Sequence, residues 1–275
     1  MSKPEQEIQA PPPPADYGPP PVYHQTEPEE PARLGPFQRL IGMLFSPGET
    51  FKDINRKPTW LMPMLIAVAI GIIFGLFLNW KLDAGWTEFM RKTLTDQAQK
   101  SGGPPPTAAQ IQQATFFLKV YFVAVSILAP PILYLILSGV FALGMMLMGA
   151  QTTFKKILSV VAWTFCSVGI ISITVTIASL MLRDAESLKD LNPQNLDTIS
   201  ASNLGVLLSS DSAKWLKAIA SSLDVFSFWM MALLSIGLAA IAGKRSIKTG
   251  STAAMVIGLW IAYVVVKAAM TAIFS

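Results

Sequence analysis

The sequence predicts an all-α, polytopic membrane protein: a bundle of five transmembrane helices with short amphipathic helices beside the membrane. Of its 275 residues, 52% are hydrophobic and 14% are charged, whereas soluble domains carry about 25% charged residues. The apolar residues gather in five long segments without the alternation of membrane β-strands. Each segment is close to the roughly 20 residues that a helix needs to cross a hydrocarbon core of about 30 Å. The segments are 60–80, 120–148, 157–182, 225–242 and 253–274.

Residues 1–35 form a proline-rich tail. Proline lacks a backbone donor and fixes φ, so the tail is predicted to be extended and disordered. Pro20-Pro21-Val22-Tyr23 matches the PPxY pattern that WW domains bind, although proline runs also produce this pattern by chance. The tail is therefore a candidate contact for a cytoplasmic protein partner, and residues 36–275 are expected to form the membrane domain.

Two short helices are expected between the tail and the first span. Residues 36–45 combine apolar and polar side chains, which is typical of a helix lying among lipid headgroups. Ser46-Pro47-Gly48-Glu49 then predicts a helix start, because Ser46 and Glu49 can form a capping box and Pro47 suits the first helical position. Phe51 lies on the apolar side of this second helix, and Pro58 is expected to end it.

The second and third spans allow two interpretations. Pro130 and Pro131 interrupt the second span and are expected to kink it or to divide it into two half-helices. The third span carries several hydroxyl side chains, which suit helix packing or a polar conduit. Since transporters use discontinuous helices, these features support an alternative function as a small-solute transporter or channel. Gly71 and Gly75 allow close helix approach, either within the chain or in a homo-oligomer.

The long connections 81–114 and 183–222 are expected to hold short helices at 85–100, 107–118 and 203–222. Asp224 opens the fourth span and Lys267 lies near the end of the fifth, which places both at the same side of the membrane. One interpretation is an ion pair between them, since ionisable groups in membranes usually have partners. The other is an interfacial lysine and a helix-start aspartate.

The distribution of charge predicts the orientation. The short connections 149–156 and 243–252 hold five basic residues and no acidic one, whereas the long connections balance eight basic residues with eight acidic ones. The positive-inside rule therefore places the N-terminus and the short connections in the cytoplasm and the C-terminus outside. Basic residues at the ends of apolar segments suit anionic headgroups, so the expected partner is the lipid bilayer and not nucleic acid.

Catalytic chemistry is not expected. His24 is the only histidine and lies in the tail, which argues against a histidine-assisted nucleophile or a multi-histidine metal site in the membrane. A paired-aspartate site would need a second aspartate beside Asp224, and the chain has no Walker-type glycine loop. We therefore expect no enzyme activity, no cofactor and no metal.

Two stretches of the sequence resemble a known family. The first is Phe45-Ser46-Pro47-Gly48-Glu49-Thr50-Phe51-Lys52-Asp53-Ile54, followed by Lys57-Pro58-Thr59-Trp60. The second is Leu223-Asp224-Val225-Phe226-Ser227-Phe228-Trp229, followed by Ser235-Ile236-Gly237-Leu238. Both resemble the Yip (Ypt/Rab-interacting protein) domain family, especially its bacterial members. The resemblance implies a five-span domain in a bacterial inner membrane, and it makes candidate interface residues of Ser46, Pro47, Gly48, Glu49, Phe51, Pro58, Asp224 and Trp229.

The same resemblance sets the expected function. Eukaryotic members bind prenylated Rab-type GTPases and act in vesicle traffic, and they carry a D-L-Y-G-P motif. Asp16-Tyr17-Gly18-Pro19 lacks the leucine of that motif, so GTPase binding is not implied for this chain. The expected function is that of a non-enzymatic membrane scaffold or adaptor in membrane organisation or trafficking.

Overall fold

The computed structural model describes residues 33–183, 202–209, 212–243 and 247–273. Residues 1–32 of the predicted tail, with the PPxY pattern, lie outside these residues. The described chain is helical, which confirms the predicted all-α class. Its helices are α1 (Pro36–Phe45), α2 (Pro47–Arg56), α3 (Leu61–Lys81), α4 (Asp83–Ser101), α5 (Ala108–Leu147), α6 (Phe154–Met181), α7 (Lys214–Ser222), α8 (Val225–Ala240) and α9 (Thr249–Ile273), with a 3-10 helix at Leu204–Leu207.

Five apolar helices form the bundle. α3, α5, α6 and α9 are long and apolar enough to cross a membrane, whereas α8 has 16 residues and a length of about 24 Å. The ends of α8 lie at opposite ends of the bundle. Gln151, between α5 and α6, donates its N–H to the Ala242 carbonyl at 3.0 Å, and Lys267 of α9 donates to Ser221 Oγ at 3.2 Å. Because α8 connects these two ends, the predicted five-span architecture is confirmed.

The two ends of the bundle carry different elements. The cap face holds α1, α2 and the connections α5–α6 and α8–α9. The hairpin face holds α4, the first turns of α5, and α7. α5 has 40 residues and is about 60 Å long, so it projects from the hydrocarbon core and packs antiparallel against α4. Gly102, with φ of 67°, ends α4.

The expected short helix at 107–118 is therefore the beginning of the second span. Thr107 and Gln110 form a capping box that starts α5, and no proline or glycine follows until Pro130. The helix has no local signal to stop, so it continues into the membrane. The described part of 203–222 contains the 3-10 helix and α7, not one continuous helix.

α5 continues through Pro130 and Pro131, so the predicted division into two half-helices is absent. The two prolines remove the N–H groups that would bind the Ser126 and Ile127 carbonyls. The Ser126 carbonyl instead faces α3, where a Cβ added at Gly71 would lie 2.9 Å from its oxygen. A glycine Cα–H is a weak donor for such an oxygen. Close packing by α3 therefore supports α5 where its own hydrogen bonds are missing.

The buried side chains form two clusters. The larger one lies toward the cap face, and its fully buried members include Met43, Phe51, Ile54 and Trp163. The smaller one lies toward the hairpin face and contains Leu78, Leu82, Trp86 and Leu180. The Trp86 ring packs 4.9 Å from that of Phe122. The larger cluster joins α1 and α2 to the membrane-spanning helices, which makes the cap face part of the protein core.

Candidate functional site

Helices α1 and α2 form a compact cap, because a single residue, Ser46, separates them. The Ser46 N–H donates to the Gly42 carbonyl at 2.7 Å, and the Thr50 N–H donates to the Ser46 carbonyl at 3.1 Å. A Cβ at Gly42 would collide with Thr50 Oγ1. Glycine at this position therefore allows the two helices to pack in direct contact.

The hydrogen bonds at the start of α2 differ from the predicted ones. Ser46 is the N-cap residue and Pro47 the first helical residue, but the Ser46 side chain makes no capping hydrogen bond. Glu49 instead accepts a hydrogen bond from Lys52 Nζ at 2.8 Å, so the predicted capping box is wrong. The predicted bounds are confirmed, since α2 begins at Pro47 and ends before Pro58.

A buried ion pair joins α1 to α2. Arg39 Nε and Nη2 donate to Asp53 Oδ2 at 3.0 and 2.7 Å, and the two side chains are 4% and 5% exposed. The other carboxylate oxygen, Oδ1, accepts the N–H groups of Arg33 and Leu34 at 2.7 and 3.3 Å. Both oxygens of Asp53 therefore have donors, which a buried carboxylate requires.

The environment of Asp53 keeps it ionised. Burial alone would raise the pKa of its carboxyl group. The hydrogen bonds from the Arg33 N–H, the Arg39 side chain and the Leu34 N–H, together with the charge of Arg39, outweigh this effect, and the pKa lies below its ordinary value. The pair is therefore charged at neutral pH.

The same arginine reaches the membrane-spanning helices. Arg39 Nη1 donates to Thr59 Oγ1 at 2.5 Å, and its guanidinium carbon lies 5.7 Å from the centre of the Trp163 ring. Trp163 Nε1 donates to the Thr59 carbonyl at 2.8 Å. Since Thr59 precedes α3 and Trp163 belongs to α6, four segments meet at this point. We call Arg39, Asp53, Thr59 and Trp163 the cap node.

A second attachment lies on α2. The Phe51 ring is fully buried and packs so closely on α8 that a Cβ at Gly237 would lie 2.7 Å from Phe51 Cε1 and 2.6 Å from Val160 Cγ1 of α6. Asn55 Nδ2 donates to the Ala240 carbonyl at 3.3 Å. The family-like stretch around Phe51 and the later stretch around Gly237 therefore contact each other.

Asp224, at the start of the fourth span, lies at the opposite end of the bundle from the cap. Asp224 Oδ1 accepts the Phe226 N–H at 3.2 Å and caps α8. Among the described residues, Asp224 and Lys267 do not form the predicted ion pair. Lys267 Nζ donates to Ser221 Oγ at 3.2 Å. Trp229 is half-buried against the larger cluster.

The interior offers apolar spaces. A cavity of about 280 Å³ lies between α3, α5 and α6, and a groove of about 500 Å³ lies between α5, α6, α8 and α9. Hydroxyl groups of the third span, including those of Ser167 and Thr176, donate to carbonyls of their own helix four residues earlier. Within the described ranges, His, Cys, Asp and Glu side chains form no cluster of three that could hold a metal ion.

Sequence reasoning missed the cap node. The sequence places Asp53 within the family-like stretch Phe45–Ile54 and gives no sign that it pairs with Arg39. An arginine in an otherwise apolar helix was the available signal, since such a charge needs a partner. The partner itself could not be identified locally, because Asp53 lies 14 residues away and Trp163 lies 104 residues from Thr59.

Comparisons with known proteins extend the motif resemblance to most of the chain. The sequence model of the Yip1 domain matches residues 41–270, from within α1 to within α9. The membrane protein YknW of Bacillus subtilis (strain 168) is 26% identical over 199 residues, which cover 72% of this chain and 76% of that protein. No solved structure gives a significant match.

Proposed function

The chain belongs to the Yip1 domain family, and from that premise we propose that it is a non-enzymatic membrane scaffold or adaptor in membrane organisation or trafficking. The observation that carries this proposal is the attachment of the cap. Arg39 and Asp53 join α1 to α2, and Phe51 fixes α2 against α6 and α8. A cap held at two places provides a fixed surface beside the membrane, which suits binding better than catalysis.

The proline-rich tail precedes the cap in the sequence. Arg33 and Leu34, the first residues that the structure describes, donate their N–H groups to Asp53 Oδ1. The tail contains the PPxY pattern and two proline runs, and proline-rich segments are typical ligands of small binding domains. In this proposal the tail recruits cytoplasmic partners to the membrane.

The proposed orientation places the cap face in the cytoplasm of a bacterial cell, at the inner membrane. The described exposed basic residues of this face are Arg33, Lys52, Arg56, Lys57, Lys155 and Lys248, whereas Glu49 is the exposed acid described there. Such an excess of basic residues favours the cytoplasmic side. The N-terminus is then cytoplasmic and the C-terminus lies outside.

Affinity capture tests the adaptor function. Full-length chain, a variant lacking residues 2–30 and the variant Tyr23→Ala are purified in matched amounts from cross-linked membranes. We expect specific partners with the full-length chain, their loss with the deletion, and loss of any WW-type partner with Tyr23→Ala. Equal thermal unfolding of the three proteins is the control for folding. Identical partners with and without the tail would contradict its proposed role.

Small-solute transport is the competing function. Two observations weigh against it: α5 is continuous through Pro130 and Pro131, and the walls of the internal cavity are almost entirely apolar. Polar solutes need hydrogen-bonding groups along their path. Flux measurements with the purified chain in vesicles distinguish the two functions. Saturable solute flux above that of empty vesicles would overturn the scaffold proposal.

A further inference from the structure

Helix α1 exposes apolar side chains and buries a charge. Phe37, Ile41, Leu44 and Phe45 are 73%, 44%, 39% and 79% exposed. Their spacing of four, seven and eight residues from Phe37 places them on one side of the helix, opposite the buried Arg39. We call these four residues the apolar stripe. A helix in water would show the reverse arrangement, so the stripe requires an apolar neighbour.

The depth of α1 identifies that neighbour. α3 has 21 apolar-rich residues from Leu61, about 32 Å of helix, which matches a hydrocarbon core of about 30 Å. Leu61 therefore lies near the boundary between hydrocarbon and headgroups. Thr59, two residues earlier, binds Arg39 in the middle of α1. Two residues span at most about 7 Å, so α1 lies at the membrane boundary.

The charge beside the stripe favours one class of lipid. Arg56 and Lys57 are exposed basic residues at the end of α2, immediately before α3 enters the membrane. Basic residues at this depth attract anionic headgroups, and each contributes about 1 kcal/mol to the free energy of binding.

From the stripe, its depth and these charges we propose that the cap is an anionic-lipid binding element. The apolar stripe inserts among the acyl chains of the leaflet at the cap face, and Arg56 and Lys57 hold phosphate groups of anionic phospholipids. Lipid binding by the cap does not depend on the tail. Loss of the adaptor function and loss of lipid binding are therefore distinguishable, because the first is tested by deleting residues 2–30.

Site-specific labels test the insertion. In a Cys166→Ala background, Ile41→Cys and Lys52→Cys each carry a spin label, and the full-length protein is placed in bilayers containing phosphatidylglycerol and phosphatidylcholine. The label at 41 is expected to be accessible to oxygen and protected from a water-soluble nickel reagent. The label at 52, on the exposed side of α2, should show the opposite. Nickel access at 41 equal to that at 52 would refute insertion.

The same experiment distinguishes a lipid from a second copy of the chain. If the stripe packs against another copy, labels at 41 on two chains approach each other and their spectra broaden by dipolar coupling. Such broadening, lost on dilution with unlabelled protein, would overturn the lipid assignment. Narrow spectra with oxygen access support it.

Charge substitutions test the headgroup contact. Enrichment of phosphatidylglycerol over phosphatidylcholine around the protein is measured with fluorescent lipids, for the full chain, for Arg56→Gln with Lys57→Gln, and for Lys92→Gln with Lys100→Gln. The last pair removes equal charge from α4 on the hairpin face. We expect affinity to fall about fivefold for each cap residue, since about 1 kcal/mol is lost with each. Equal effects of the two pairs would contradict a site on the cap.

Discussion

Removing the carboxylate of Asp53 tests whether the cap node holds α1 to the rest of the protein. The substitution Asp53→Ala leaves the guanidinium of Arg39 buried, at 4% exposure, without its anionic partner. Breaking a buried ion pair from one side costs about 3–5 kcal/mol, because the remaining charge stays desolvated. Arg39 keeps Thr59 Oγ1 and the Lys57 carbonyl, at 2.5 and 3.3 Å, so the lower end of this range applies.

The loss falls on the cap and not on the whole bundle. The spans keep their membrane environment, so the free energy is lost from the local opening of α1 and α2. A change of about 3 kcal/mol raises the population of the open cap by about 100-fold. Hydrogen–deuterium exchange in lipid nanodiscs measures this change directly. We expect protection in α1 and α2 to fall by this factor, with little change in α6 or α9.

Two further variants make the result specific. Glu49→Gln removes an exposed ion pair on the same helix and should leave exchange almost unchanged, because exposed pairs contribute little. Arg39→Met combined with Asp53→Leu removes both buried charges and should recover most of the protection. If Asp53→Ala exchanges no faster than Glu49→Gln, the cap node does not hold the cap, and the argument from burial is wrong.

Three other predictions follow from the geometry. The pKa of Asp53 is lower in the folded protein than its ordinary value. Its stabilisation of the cap is therefore complete above the ordinary value of about 3.9 and is lost as the pH falls through the lower folded value. Distances measured between labels on α2 and α8 should show this acid transition, and Asp53→Asn should abolish it. Gly237→Ala should lower the free energy of unfolding by about 1–3 kcal/mol, because its Cβ would lie 2.7 Å from Phe51. Gly237→Ala combined with Phe51→Leu should cost less than the sum of the two single substitutions in thermal unfolding; additive destabilisation would contradict this contact. In a cysteine-free background, an impermeant maleimide added to intact cells should label Ser101→Cys and not Ser246→Cys, and the reverse result would invert the proposed topology.

The spans were predictable because each depends on its own composition and length. α2 was predictable for a similar reason, since Pro47 and Pro58 bound it in the sequence. The capping box was wrong because Glu49 had a second partner within reach, Lys52, three residues along the same helix. The predicted division at Pro130 was wrong because the rule for proline considers one helix, whereas α3 packs on the Ser126 carbonyl through Gly71; a kink at this point stays a prediction. In both cases a contact that the local rule does not consider, Lys52 with Glu49 or α3 with α5, determined the local structure.

The cap node needed tertiary structure for a deeper reason. The sequence predicts an amphipathic helix among lipid headgroups at residues 36–45, but it does not indicate which of these side chains the protein buries. In the structure the arginine is buried and the apolar side is exposed: Arg39 is 3% exposed and Phe45 is 79% exposed. A buried charge is tolerable only with the partners that Asp53, Thr59 and Trp163 provide, and an exposed apolar stripe needs an apolar neighbour, which we propose to be lipid. The two observations therefore support each other, since the contacts of Arg39 orient α1 so that its apolar side faces away from the bundle at the membrane boundary.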